Sequence, residues 1–415
     1  GRAVYGWIAG LLTAFSGFYT IYWVAPDNFV TFTVTADVAI LAAALASGDQ
    51  SKSRSAALWI LSGVAAGLSQ LSRADGFLLV AVVPVWALFY RRSPGMALRA
   101  SLLAAVGFLL VLAPWLARNY AAVGAPLAAG GARTLWMISY EEIFRFRAED
   151  LTLQRYLDWG LGNILFSKLR ALGFDLLVLV GGLQVFLAPL AALGLVHWRH
   201  RLEFQHVLTY LLLLLAAMAF VFTLPGMRGS MLHSSAALIP FLSAAVPPGL
   251  DVAIAWMARR RRQWTEKSAQ QFFRVAFVAF AFFLSLYLYS QGMVAYGSNA
   301  APSSPLWNDR DREYAAVGQE LDRLAVPRDQ PVVTVDPPSF FNETGRRSIV
   351  LPTESLEALF QAADRFDAHY LVLQYDHPLP LDGLYSDGVT VEGLAAVKTW
   401  SDSVGKPVIL FEVRR

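Results

Sequence analysis

The stretch from Ala100 to Leu116, ASLLAAVGFLLVLAPWL, contains no charged residue. It is about as long as the roughly 17 to 25 apolar residues that cross a hydrocarbon core of about 30 Å as a helix. Similar runs recur along the chain, which has 415 residues, 56% of them hydrophobic and 16% charged. An ordinary soluble domain does not combine this length with those values, so the composition indicates a membrane protein.

The apolar runs predict nine membrane-spanning helices. Their approximate bounds are 3–24, 29–46, 56–71, 77–90, 100–116, 174–197, 206–224, 232–258 and 273–295. The third and fourth are short and only SRADG, from Ser72, separates them, so we expect a tight helical hairpin there. Basic residues cluster in alternate loops, around Lys52, Arg91, Arg199 and Arg260. By the positive-inside rule these loops are cytoplasmic, and the chain after residue 295 is extracytoplasmic.

The chain after residue 298 has dispersed charges and recurrent Pro, Asp and Gly residues, which are typical of a soluble domain. Hydrophobic spacing predicts helices at 308–325 and 355–367 and strands at 331–336, 369–376 and 407–413. This alternation predicts a small α/β sheet.

We therefore expect two domains. Residues 1–297 form a transmembrane helical domain, in which residues from about 121 to 173 are an outer segment of interfacial helices. Residues 298–415 form a soluble α/β extracytoplasmic domain. The expected fold class is an α-helical polytopic membrane protein with a small C-terminal α/β domain.

Several classes of protein are excluded by composition and by motifs. The chain has no cysteine, so disulfides, thiolate metal sites and cysteine nucleophiles are ruled out. Its net charge of +3 gives no indication of a nucleic-acid partner. The sequence has no GxxxxGK[ST], HExxH or GxSxG motif, so those signatures of soluble enzymes are absent.

Polar residues on the predicted outer side are the candidates for function. They are Asp27, Arg73, Asp75, Arg118, Asn119, Arg228 and His233. Ionisable groups at the edge of the apolar layer are costly and are functional candidates by default. Outward-facing arginines oppose the positive-inside bias, which favours an anionic partner such as a lipid phosphate, and arginine binds phosphate in a bidentate geometry. The outer segment adds two acids to the candidate substrate site, Glu141 and Glu142.

Each candidate also has a purely structural interpretation. An arginine at the end of a span is often a snorkelling anchor. Asp27 followed by Asn28 can cap the second span, and His233 can be a buried, hydrogen-bonded histidine. We expect the neighbouring acids Glu149 and Asp150 to be a solvated face.

Three stretches together resemble a known class of membrane enzyme: residues 1–32, which end in GWIAGLLTAFSGFYTIYWVAPDNFVTF, then GLSQLSRADGFLL from Gly67 and LAPWLARNYAAVGAP from Leu112. They are similar to polytopic glycosyltransferases of the GT-C class, in particular the bacterial relatives of protein mannosyltransferases and of the aminoarabinose transferase, in glycosyltransferase family 39. The resemblance covers most of the chain. It implies a GT-C membrane fold in a bacterial inner membrane and transfer of a sugar from a polyprenyl-phosphate donor to a glycan, lipid or protein acceptor at the outer face.

The resemblance also assigns individual residues. Asp27 matches a second outer-loop acid of the family, and Arg118 matches the arginine of its PWxxRN motif, whereas Arg228 and His233 match loosely. The family's catalytic acid lies in an earlier outer loop and is not in this sequence, so we expect either an N-terminally shortened enzyme or an inactive member. The implied mechanism uses a carboxylate as general base and an arginine that stabilises the phosphate leaving group. It also allows a divalent metal ion, held by acids and His233, to act on the phosphate.

Two alternatives stay open from sequence. A multi-span transporter also carries charge within its spans, although it usually has internal repeats and helix breaks near the middle of the membrane. A non-catalytic scaffold that presents the C-terminal domain is the other alternative, because the family's catalytic acid is missing.

Overall fold

The computed structural model describes residues 2–25, 27–126, 131–260, 265–293, 309–386, 391–402 and 405–414. These fall into two compact units. The first unit comprises Gly1–Gly131 and Gly160–Tyr289, and the second comprises Ala132–Trp159 and Ser290–Arg415.

The α-helices follow the chain in this order: α1 (Arg2–Ala14), α2 (Tyr19–Tyr22), α3 (Phe29–Gly48), α4 (Lys52–Ser72), α5 (Phe77–Phe89), α6 (Pro94–Val123), α7 (Leu153–Asp158), α8 (Leu161–Gly182), α9 (Ala188–Trp198), α10 (Leu202–Ala216), α11 (Thr223–Pro225), α12 (Met231–Ser235), α13 (Ile239–Ala258), α14 (Glu266–Met293), α15 (Asp309–Arg323), α16 (Pro337–Thr344), α17 (Leu356–Phe366) and α18 (Asp382–Ser386). The strands are β1 (Val332–Thr334), β2 (Ser348–Val350), β3 (Tyr370–Leu373), β4 (Leu394–Ser401) and β5 (Pro407–Val413).

The first unit is the membrane domain. Among the described residues, six helices are long and apolar enough to cross a bilayer, and three shorter apolar helices accompany them. The helices extend through 29–48, 52–72, 94–123, 202–221, 223–258 and 266–291. The predicted class, a helical multi-span membrane protein with a small α/β domain, is confirmed.

Glycines let pairs of these helices approach closely. A Cβ atom on Gly63 of α4 would lie 1.9 Å from the carbonyl oxygen of Ala104 in α6. A Cβ atom on Gly194 of α9 would lie 1.8 Å from that of Ala245 in α13. Small residues drive helix association in lipid because they permit close backbone packing, so these two contacts fix which helices are neighbours.

Two predicted spans have different bounds in the structure. The run predicted as one span at 3–24 is interrupted, because α1 ends at Ala14 and α2 covers only Tyr19–Tyr22. The sequence predicted a single span at 174–197, whereas α8 begins at Leu161 and ends at Gly182 and α9 begins only at Ala188. Gln184 and Val185 have positive φ values of 54° and 62° and interrupt the helix between them. Charged residues of α8 lower its hydropathy, which hid its first half from the sequence prediction.

The predicted tight hairpin is confirmed. Helix α4 ends at Ser72, one short turn spans Ala74–Gly76, and α5 begins at Phe77. A Cβ atom on Gly76 would lie 2.3 Å from the backbone nitrogen of Gln70, so only glycine fits this turn. The turn therefore holds Arg73 and Asp75 in one fixed geometry.

A second break precedes His233. The sequence predicted that one span ends at residue 224 and the next begins at 232, and the helical path is interrupted between these positions, at Arg228 (φ −100°, ψ 17°) and Gly229 (φ 125°, ψ −17°). The φ value at Gly229 lies in the region that favours glycine. After the break, α12 starts at Met231 and carries His233 and Ser234.

The second unit contains a five-stranded sheet in the order β2-β1-β3-β5-β4. Strands β2, β1 and β3 are parallel, and β5 is antiparallel to β3 and β4. The three predicted strands correspond to β1, β3 and β5, whereas β2 and β4 were missed. The predicted domain boundary at residue 298 lies outside the described residues.

Polar anchors tie helix α15 to this sheet. Glu320 is 3% exposed and accepts hydrogen bonds from Arg323 and, at 2.7 Å, from Lys398 Nζ. These hydrogen bonds lower the pKa of Glu320 to about 2. Arg346 is 1% exposed, and its Nη2 donates to Asp322 Oδ1 at 2.6 Å.

The short segment Ala132–Trp159 belongs to the second unit although it lies between two membrane helices in sequence. The backbone N–H of Arg147 donates to Glu354 Oε1 at 3.0 Å. The rings of Phe146 and Phe366 meet edge to face with centroids 6.5 Å apart. The unit is therefore assembled from two pieces of chain that are far apart in sequence.

Candidate functional site

The hairpin turn places an arginine and an aspartate together in the membrane unit. Arg73 Nε donates to Asp75 Oδ1 at 3.1 Å, and the two side chains are 14% and 10% exposed. The hydroxyl of Ser234 donates to the other oxygen of Asp75. Both carboxylate oxygens are thus engaged, so Asp75 serves to fix Arg73 and to join the hairpin to α12.

His233 lies beside this pair. Its Nδ1 donates to Asn28 Oδ1 at 3.1 Å, and its ring stacks on Phe29 with centroids 4.0 Å apart and an interplanar angle of 24°. Because the amide oxygen is only an acceptor, this hydrogen bond requires the proton on Nδ1. His233 is hydrogen-bonded, as one interpretation of the sequence expected, but it is half-buried and not buried.

Asp27 is a further candidate residue of this site. Its side chain is exposed, and its Oδ1 accepts from the backbone N–H of Asn28 at 2.5 Å. The side-chain oxygen of Asn28 in turn accepts from His233, so Asp27 and His233 are connected through Asn28. The alternative role of this pair as a helix cap is not observed, because Asn28, at the N-cap of α3, makes no side-chain capping bond.

Aromatic side chains pack together beside these residues. Tyr19 is fully buried, its hydroxyl donates to the carbonyl oxygen of Leu232 at 2.7 Å, and its ring stacks on Trp23 at 5.5 Å. Tyr22 stacks on Phe29 at 4.4 Å. These contacts join α2, α3 and α12. In the sequence, the one indication of them is the high content of aromatic residues before Asp27.

Another candidate arginine, Arg228, has an exposed side chain at the helix break, five residues before His233 in the sequence. Arg73, in contrast, is mostly buried against Asp75. The ion pair with Asp75 therefore gives Arg73 a fixed geometry. The role of Arg228 in binding stays a prediction.

Arg118 and Asn119 form a local group near the end of α6. Arg118 Nη1 donates to Asn119 Oδ1 at 3.2 Å, and the guanidinium carbon lies 5.0 Å from the ring centroid of Trp115. Asn119 Nδ2 donates to the carbonyl oxygen of Pro126 at 3.2 Å. These contacts fix the end of the helix, and the role of the two residues in substrate binding stays a prediction.

Glu141 and Glu142 belong to the second unit and not to the membrane unit. The carboxylate of Glu142 is paired with Arg155 and lies 3.7 Å from Arg145 Nη1. It also accepts from the backbone N–H of Ile138 at 2.9 Å. Glu142 is therefore a structural anchor of its own segment, which was not foreseen from sequence.

A divalent metal ion was part of the hypothesis drawn from the resemblance. Within the described parts of the chain, no group of three or more His, Cys, Asp or Glu side chains could hold a metal ion. Asp75 is occupied by Arg73 and Ser234, so it does not offer a free carboxylate beside His233. The divalent metal ion stays a prediction.

No family model and no curated protein matches this chain. Two solved structures from Archaeoglobus fulgidus are similar to it, each at 12% identity. An oligosaccharyltransferase in its apo form has a TM-score of 0.38 and covers 95% of this chain, which spans 67% of its length. The oligosaccharyltransferase AglB in complex with an inhibitory peptide and a dolichol-phosphate has a TM-score of 0.36. It covers 92% of this chain, which spans 57% of its length. Likenesses this distant carry no argument about substrate or reaction.

Proposed function

We propose that this protein transfers a sugar from a polyprenyl-phosphate donor to a glycan, lipid or protein acceptor at the outer face of a bacterial inner membrane. The observation that most supports the proposal is the fixed position of Arg73, whose Nε donates to Asp75, while Asp75 also accepts from Ser234, the residue after His233 in the sequence. A fixed, largely buried cation matches what the departure of a phosphate from a sugar needs.

Arg73 is the proposed ligand of the donor phosphate. Its Nε is used by Asp75, so the two terminal nitrogens can donate to two phosphate oxygens in a bidentate arrangement. The ring of Phe32 lies 5.9 Å from its guanidinium carbon and adds a weak cation–π contact. In surroundings of low polarity this cation acts more strongly on a developing phosphate charge than it would in water.

The proposed reaction is a displacement at the anomeric carbon of the sugar. The acceptor hydroxyl oxygen forms a bond to that carbon, and the bond from the carbon to the phosphate oxygen breaks, so that the polyprenyl phosphate leaves with the electron pair. Asp27, the exposed carboxylate, accepts the hydroxyl proton as general base. Nε2 of His233 is the proposed hydrogen-bond partner of the substrate, and no step is assigned to a metal ion.

The experiment is titration of the purified full chain, in detergent, with farnesyl phosphate, and with farnesol as the matched compound without phosphate. Arg73→Ala should weaken binding of farnesyl phosphate about tenfold to a hundredfold, because a hydrogen bond to a charged group is worth about 1.5 to 3 kcal/mol. Arg73→Lys should lose less affinity for farnesyl phosphate, since it keeps the charge but not the bidentate geometry of the guanidinium group. Farnesol affinity should not change.

Two further variants make the test decisive. Arg99→Ala removes an exposed arginine that donates to the carbonyl oxygen of Lys52 and should leave both affinities unchanged. The double variant Arg73→Gln, Asp75→Asn removes both charges of the pair, so it avoids an unpaired buried carboxylate. Native affinity for farnesyl phosphate in this folded double variant and in Arg73→Ala would refute the proposed phosphate site.

A further inference from the structure

A separate cavity lies in the membrane unit between α1, α3 and α13. Its volume is about 550 Å³, and its lining includes Thr13, Trp23, Thr33, Asp37 and Pro240. Val30 and Val34, which are 38% and 56% exposed, also line it. Because these two valines face the surface of the helix bundle, the cavity opens sideways toward lipid.

Two polar atoms in this cavity lack a protein partner. In the part of the chain that the structure describes, Asp37 Oδ1 and Thr33 Oγ1 are both buried and have no hydrogen-bond partner. Thr33 is only 6% exposed. The two residues are four apart on one helix and therefore lie on the same face. Asp37 is the ninth residue of α3, about 12 Å along the axis from its start.

Other hydroxyl groups of the same helix show how such a group is normally satisfied. Thr35 Oγ1 donates to the carbonyl oxygen of Thr31 at 2.7 Å, and Ser47 Oγ donates to that of Ala43 at 2.7 Å. Thr33 does not bond back in this way. An unsatisfied polar group in apolar surroundings costs several kcal/mol, and acids within membrane helices usually mark a functional site.

We propose that this cavity binds an amphiphile whose head is a hydrogen-bond donor, a hydroxyl or a protonated amine, and whose tail is an apolar chain. Asp37 and Thr33 supply the acceptors for the head. The remaining lining is almost entirely apolar and suits a hydrocarbon chain that enters from the bilayer beside Val30 and Val34. No Arg, Lys or His is among the described lining residues, so a phosphate head does not match.

Trp23 provides a reporter for the test. It lines the cavity, and its indole N–H donates to Ser16 Oγ at 2.8 Å, which fixes its position. The chain has 12 tryptophans, so the quenching due to Trp23 is taken as the difference between the native chain and Trp23→Phe. The probes are 11-bromoundecan-1-ol, 11-bromoundecylamine and 1-bromoundecane, which share a quenching bromine and differ in the head.

The native chain should show saturable quenching of Trp23 by the alcohol or the amine at concentrations about tenfold or more below those needed for the bromoalkane. Preference for the amine identifies a charged head, and equal response to both identifies hydrogen bonding alone. Asp37→Leu and Thr33→Val should reduce this preference toward that of the bromoalkane. Asp37→Leu should still fold, because it removes an unpaired buried acid. Equal quenching by all three probes in the native chain, or an unchanged preference in Asp37→Leu, would overturn the proposal.

Discussion

Replacing Arg346 by methionine should strongly destabilise the sheet of the second unit. Arg346 Nη1 donates to the carbonyl oxygens of Val326 at 3.0 Å and Pro327 at 3.1 Å, and the residue is 1% exposed. Methionine keeps much of the apolar length but leaves both carbonyls without that donor. Each such bond to a charged donor is worth about 1.5 to 3 kcal/mol, so the loss should be about 3 kcal/mol or more.

The measurement is hydrogen exchange of the β1 and β3 amides in the full-length protein, followed by mass spectrometry. Where exchange requires opening of the whole unit, a loss of about 3 kcal/mol should make it about a hundredfold faster. Arg328→Met is the matched control, because Arg328 also faces Asp322, at 3.5 Å, but is 67% exposed, and such surface pairs contribute little. Unchanged protection in Arg346→Met, or an equal loss in the control, would refute the reasoning.

Three further predictions concern packing, topology and pH. Gly194→Ala should lower the melting temperature of the purified chain, because its Cβ has no space, whereas Gly181→Ala, with nothing within 4 Å of the new Cβ, should not. A cysteine replacing Leu379, which is 85% exposed, should react with an impermeant thiol reagent in intact cells, and one replacing Arg260 should not; the reverse labelling contradicts the proposed orientation. Glu320 has a lowered pKa, so its stabilising contribution is complete above about pH 4.5 and is lost as the pH falls toward 2. Glu320→Gln should therefore lose less sheet protection between pH 5 and pH 2 than the native chain, and parallel losses would contradict this assignment.

Much of the membrane fold could be predicted because hydropathy and helix length are local properties of the sequence. The prediction failed at α8, where Lys168, Arg170 and Asp175 make a helix look like a polar segment. In the second unit the buried strands were found, but β2 has only three residues and β4 is largely exposed, so neither has a clear apolar pattern.

The candidate site was predictable residue by residue but not as an arrangement. Arg73, Asp75 and His233 were named from sequence, whereas the roles of Asn28 and Ser234 depend on contacts between elements far apart in the chain. For the same reason, the sequence could not show that the arginine with fixed geometry is Arg73 and not Arg228. A local signal was overlooked at Asp37, since a single acid inside an apolar run is itself unusual.

The two-piece origin of the second unit has a consequence for synthesis. Arg147 and Glu354 are separated by 207 positions, so the segment that carries Arg147 leaves the ribosome long before its partner exists. At about 5 to 20 residues per second, the delay is roughly 10 to 40 seconds. During that interval the membrane helices from α8 to α14 are made while Ala132–Trp159 has no sheet to pack against. The segment that carries Glu354 therefore determines when this earlier segment can reach its final structure.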